Sequence, residues 1–151
     1  MNDYTEGKSW KQEKQRRILE AGFRLFTERG IEAVSMPEVA EASGVARATL
    51  YRYFETKLDL AIAIAVWQWR EYGEEAQRKR QGRGIEQMTA AERLDFYLGF
   101  YIDLYREHKE LLIFNQSFNS FVQHEGAGPE QLAPFRAAVG SFGQMFHSLY
   151  E

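Results

Sequence analysis

Arg47, Thr49, Tyr51 and Arg52 lie close together, Lys57 follows them, and the one acid among residues 47–57 is Glu55. Each of the five offers a hydrogen-bond donor, and three carry positive charge. Such a set recognises anions laid out along a line, above all phosphates, and a guanidinium also matches the two acceptors on a guanine edge. Donors of this kind act only if a scaffold holds them in register. The segment from Val34 to Leu58, VSMPEVAEASGVARATLYRYFETKL, reads as a helix, a glycine-centred turn, a second helix carrying the donors, and the start of a third.

The flanking residues say how that scaffold is built. Ser35-Met36-Pro37-Glu38 has the pattern of a capping box, with a proline in the first turn where its missing N–H costs nothing. The helix it opens buries Met36, Val39 and Ala40 and stops at Ser43-Gly44, where glycine permits the tight turn that aims the next helix. That next helix, about Ala46 to Phe54, turns Leu50 and Phe54 inward and leaves Arg47, Thr49, Tyr51 and Arg52 outside. Upstream, Ile18, Gly22, Leu25 and Phe26 fall at helical spacing between about Lys11 and Arg29, and Gly30 ends the run. Downstream, Thr56 and Asp59 cap a further helix. The run AIAIAV within it alternates with a period of two, yet the cap and the continuation to Arg80 favour helix over strand.

Gln81-Gly82-Arg83-Gly84 is the clearest break in the chain. Thr89 with Glu92 then caps a long helix bearing a stripe of Leu94, Leu98, Tyr101 and Tyr105. Helices over about 109–123 and 130–150 follow, separated by EGAGP. The expected fold is all-α. A flexible arm over residues 1–10 precedes a three-helix helix-turn-helix domain over 11–57. A connecting helix over 58–80 leads to a second helical domain, for ligand binding and dimerisation, over 85–151.

Composition narrows the classes. Apolar residues make up 44% and aromatic residues 15%, enough for a packed core. The chain has no cysteine, which excludes disulfides, thiolate metal sites and cysteine nucleophiles. No apolar run approaches the roughly 20 residues that span a bilayer, and the polar N-terminus is not a secretory signal. A soluble cytoplasmic protein is expected. The net charge of −3 is unevenly spread: residues 1–60 hold ten basic and ten acidic residues, residues 61–151 nine and twelve. Any basic face is therefore local, and the motif must carry the nucleic-acid reading.

Residues 14–60 resemble the DNA-binding domain of the TetR/AcrR family of bacterial transcriptional regulators. The resemblance rests on ILEAGFRLFTERG and VSMPEVAEASGVARATLYRYFETKLDL, with Leu25-Phe26, Gly30, Ser35, Val39-Ala40, Gly44-Val45, Thr49-Leu50-Tyr51, Phe54 and Lys57 in order. It implies that Arg47 and Ala48 point toward base edges and Thr49 toward phosphate or a thymine methyl. Tyr51, Tyr53 and Lys57 would donate to phosphates, and Ser35 is counted with the DNA-binding set. Tyr53 has a second reading as a packing aromatic. Two positions depart from the family pattern: Ala46 stands where Ser or Thr usually caps the recognition helix, and Pro37 where a polar or basic residue is frequent. Family members also run past 151 residues and close with two helices that pair into a dimer. The chain is expected to be a fragment or to dimerise through other surfaces.

For the second domain the resemblance implies a small-molecule effector site, read here as lined by Tyr97, Phe100, Tyr101, Phe114, Phe118 and Phe142. Such a lining, without evident charge clusters, suits an apolar or aromatic ligand; the alternative is that the rings fill a plain helical core. His108, His124 and His147 are too scattered to suggest a metal site, and no cofactor is expected. No phosphate-cradling glycine loop or nucleophile–base pair points to an enzyme. The basic cluster RKRQGR at 78–83 reads as a solvated helix end. The expected function is a ligand-responsive repressor that binds a palindromic double-stranded operator as a homodimer. The alternative is an interaction protein whose helical second domain holds a protein partner, with DNA contact secondary.

Overall fold

The computed structural model describes the backbone over residues 3–80 and 87–147, and side chains over 10–76, 78–79 and 87–140. Among these residues the chain forms seven α-helices and no strand: α1 (Asp3–Arg29), α2 (Met36–Ser43), α3 (Arg47–Tyr53), α4 (Lys57–Arg80), α5 (Ala90–Glu107), α6 (Lys109–His124) and α7 (Ala133–His147). Helix α1 begins at Asp3 rather than near Lys11, so the residues expected as an arm continue its backbone. The glycine-rich break at 81–84 lies outside the described residues.

Local sequence explains where the helices start. Ser35 and Glu38 exchange the bonds of a capping box: the Glu38 amide donates to the Ser35 hydroxyl at 3.4 Å, and the Ser35 amide donates to the Glu38 carboxylate at 2.7 Å. Thr56 with Asp59 does the same at the head of α4, and Thr89 with Glu92 at the head of α5. Helix α3 lacks this device, since Ala46 makes no side-chain cap, a loss of about 1 kcal/mol. It is held instead by Leu50, which is fully buried, and by Phe54 at its end.

Helix α4 runs through the middle of the molecule, packed on α1, α6 and α7. That position explains the alternating run 61–66: Ala61, Ile64 and Ala65 are fully buried and Ile62 and Val66 nearly so, because neighbours cover most sides of the helix. On the α1 side the approach is close. A Cβ at Gly22 would sit 2.6 Å from Ile64 Cδ1, so glycine is what lets these two helices meet.

One continuous core joins the two halves of the chain. Ile18, Phe26, Ile31, Val34 and Leu50 share it with Phe114, Phe118 and Phe121 of α6. A second, smaller cluster holds Tyr72, Leu104 and Leu111. Helix α5 turns Tyr97 and Leu104 inward, whereas its stripe of Leu94, Leu98, Tyr101 and Tyr105 faces outward, 42–64% exposed. No helix among the described residues is long and apolar enough to cross a membrane.

Candidate nucleic-acid interface

The turn between α2 and α3 sets the angle at which α3 is presented. Gly44 adopts φ +66°, in the left-handed region, and its amide donates to the carbonyls of Ala40 and Glu41. The Arg17 guanidinium reaches in from α1 and donates to the Ser43 carbonyl at 2.8 Å, with a longer bond to that of Gly44. A Cβ at Gly44 would come within 2.5 Å of Arg17 Nη2, so the glycine answers both a backbone and a packing demand. The partners Arg17 and Ser43 are 26 residues apart, and no local pattern announces the contact.

With Leu50 pointing inward, Arg47, Ala48, Tyr51 and Arg52 are exposed and Thr49 is half-buried. Arg47 and Tyr51 are four residues apart and share one helical face. No acidic residue lies in α3. The arrangement offers guanidinium, phenol and hydroxyl donors along an exposed edge, the chemistry required for phosphate oxygens and base edges.

Three other expected contact residues have internal partners. Ser35 is exposed, but its hydroxyl is engaged in the capping box and also donates to the Glu38 carboxylate at 2.8 Å. That carboxylate, which also accepts from the Ser35 amide, takes a third bond from Arg29 at 2.8 Å. Its pKa falls from the ordinary 4.5 to about 2, chiefly through the Ser35 amide, then the Ser35 hydroxyl and Arg29. Tyr53 is half-buried, its ring against Phe54 and under the Arg52 guanidinium, with its hydroxyl donating to the Lys11 carbonyl at 3.5 Å. Lys57 donates to the carbonyls of Glu32 and Val34 at 3.1 and 3.0 Å, and its ammonium lies 5.5 Å from the Phe121 ring centre. It braces the turn between α1 and α2 against α4 and α6, a role its position at the head of α4 does not reveal in sequence.

In the second half, five of the six rings expected to line one pocket are described, and these are dispersed. Phe114 and Phe118 stack on each other at 5.8 Å inside the main core and are fully buried. Tyr97 is buried, Tyr101 is 42% exposed, and the side chain of Phe142 lies outside the described residues. Of the five described, Phe100 alone lines the cleft of about 610 Å³ between α4 and α5, which is also bordered by charged residues. Nearby, Glu75, Glu107 and His108 converge, unlike anything the scattered histidines suggest. The Lys79 ammonium lies between the carboxylates, at 3.1 Å from Glu75 and 3.2 Å from Glu107. Its bond to Glu75 holds that carboxyl below its ordinary range. The group is an ion-pair cluster that ties the end of α4 to the junction of α5 and α6.

Comparison with known proteins agrees with this geometry. Residues 18–64 match the family model described as bacterial regulatory proteins, tetR family. An uncharacterized HTH-type transcriptional regulator of Mycobacterium tuberculosis is 46% identical over 59 residues, 39% of this chain and 29% of that protein. The HTH-type transcriptional repressor KstR of Mycolicibacterium smegmatis is 36% identical over 93 residues, 62% of this chain and 44% of the repressor. The chain thus spans less than half the length of these relatives. Among solved structures, a TetR transcription regulatory protein from Mycobacterium vanbaalenii superposes with a TM-score of 0.70 at 21% identity, over 95% of this chain and 77% of that one. A TetR family regulator from Marinobacter aquaeolei VT8 gives 0.68 at 20% identity, over 93% and 70%. At such identities the two structures speak for the fold alone. Residues 18–64 thus carry the helix-turn-helix module described by the tetR family of bacterial regulatory proteins.

Proposed function

We propose that this chain is a DNA-binding transcriptional regulator, a repressor that seats α3 in the major groove of a palindromic operator. The observation that carries the reading is the exposed, acid-free edge of α3, with Arg47 and Tyr51 on one face of a helix fixed by Gly44, Arg17 and Leu50. Arg47 is the base reader, and Tyr51 and Thr49 hold the backbone. Two copies related by a dimer axis would place their α3 helices about 34–36 Å apart, one turn of DNA. The outward apolar side of α5 offers surface for such association.

A small effector bound in the second half would weaken DNA binding by favouring a conformer with a different α3 spacing, to the extent of its preference for that conformer. Contacts of α6 supply the route. The Ile31 amide donates to Ser117 Oγ at 3.2 Å, and Phe121 lies under the Lys57 ammonium that holds the turn leading into α2. A shift of α6 therefore acts on the segment that positions the recognition module.

Selection from a randomised duplex pool tests the reading. A palindromic site should emerge, with affinity falling about 10³-fold between 50 and 200 mM salt if some six phosphates are neutralised. Tyr51→Phe should weaken all sequences alike, and Arg47→Ala should cost about 1–3 kcal/mol of discrimination at one base pair. A well-folded protein that selects no sequence would sink the proposal.

A further inference from the structure

Two contacts lay the first part of α1 alongside the recognition helix. At one end the Arg17 guanidinium donates to the Ser43 carbonyl at 2.8 Å, in the turn before α3. At the other end the hydroxyl of Tyr53, the last residue of α3, donates to the Lys11 carbonyl at 3.5 Å. Residues 11–17 of α1 therefore run antiparallel to α3 over about 9 Å, close to the length of that short helix. Ile18 fixes which way this stretch faces, because it is fully buried and shares the core with Leu50 of α3. Lys11 and Lys14 precede Ile18 by seven and four residues, so they lie on its face and continue it beyond the core.

The charge of the segment is positive even when every residue before it is counted. Residues 8–17 hold five basic residues and one acid, and residues 1–7 add two acids, Asp3 and Glu6. Arg16 is paired with Glu20 at 2.8 Å, and Arg17 is engaged at the α2–α3 turn. The two lysines are differently placed: Lys11 is exposed, and the Lys14 ammonium lies 5.6 Å from the ring centre of Trp10, which is itself 65% exposed. Glu13, the one acid of the stretch, is two residues from Lys11 and so about 200° round the helix from it. Helix α3 alongside has no acid.

We propose that Lys11 and Lys14 form a second phosphate-binding element, which grips the DNA strand bordering the groove that α3 enters. A major groove about 12 Å wide is edged by phosphates, so a helix lying beside a seated α3 meets that edge. Trp10 holds the Lys14 ammonium by a cation–π contact. Tyr53, expected to touch phosphate itself, instead positions the turn of α1 that carries Lys11. Neither lysine reads bases; both add affinity and fix the register of α3. The inference rests on the reading of α3 as the helix that enters the groove.

The test uses the full chain and the duplex recovered by selection, with affinity followed by fluorescence anisotropy as salt is raised. In the double variant Lys11→Gln, Lys14→Gln, the slope of log affinity against log salt should be shallower by about 1.8 per bound chain, the share of two phosphates. The parent's advantage over it should accordingly shrink about tenfold per chain between 50 and 200 mM salt. The selected sequence should stay the same, and Lys11→Arg, Lys14→Arg should keep the parent's slope. A second measurement needs no variant: acetylation of the parent's lysines, read by mass spectrometry, should find Lys11 and Lys14 protected by the duplex. A parental slope in the glutamine variant, or equal labelling of both lysines with and without DNA, overturns the inference and leaves α3 as the reader. A parent that selects no sequence removes the proposed function and this inference together.

Discussion

Lys57 is the residue whose role the tertiary structure changes most. Its ammonium bridges the Glu32 and Val34 carbonyls and lies over Phe121, so it joins the turn after α1, the head of α4 and the side of α6. A lysine that only touched phosphate could be removed without harm to the fold. Here Lys57→Ala should lower stability by about 1–2 kcal/mol, since two carbonyls lose a charged donor, and weaken DNA binding as a consequence. Thermal denaturation without DNA checks this; an unchanged Tm would return Lys57 to a purely DNA-facing role. Arg47 and Tyr51 are the contrast, exposed on α3 and tied to no such bridge.

At the scale of elements, the three capping boxes set where α2, α4 and α5 begin, while α3 starts without one and depends on its neighbours. The first box has a further link, because Glu38 serves both the cap and an ion pair with Arg29 across the α1–α2 turn. Its pKa is depressed to about 2 in the folded protein from an ordinary 4.5. The native state therefore favours the ionised form, and this contribution to stability is complete above about pH 4.5 and lost as pH falls toward 2. Glu38→Gln should flatten the acid limb of the stability curve across that window and leave its slope at neutral pH alone. Urea denaturation at stepped pH would show it, and an acid limb identical to the parent's would refute the assignment.

For the whole molecule, the decisive feature is that α6 completes the core of the helix-turn-helix domain. Ser117 accepts from the fully buried Ile31's amide, and Phe114, Phe118 and Phe121 share a cluster with Ile18, Phe26 and Leu50. Ser117→Ala should leave that amide without an acceptor at a cost of about 1–3 kcal/mol, equivalent to a Tm lower by several degrees in a chain of this size. A Tm within a degree of the parent would show that the contact does not support the interface. Sequence by itself determined the all-helical class, the capping boxes, the glycine turn and the outward placement of Arg47 and Tyr51, because each depends on residues within a few positions of one another. It could not assign the aromatic rings of the second half: Phe114 and Phe118 have the composition of a pocket lining but belong to the core, and the α5 stripe has the period of a buried face but points outward. Nor could it find Arg17 at the Ser43 carbonyl, Lys57 at Glu32 and Val34, or Glu107 at Lys79. Those depend on partners far apart in the chain, and helical periodicity fixes which residues share a face without fixing what that face meets.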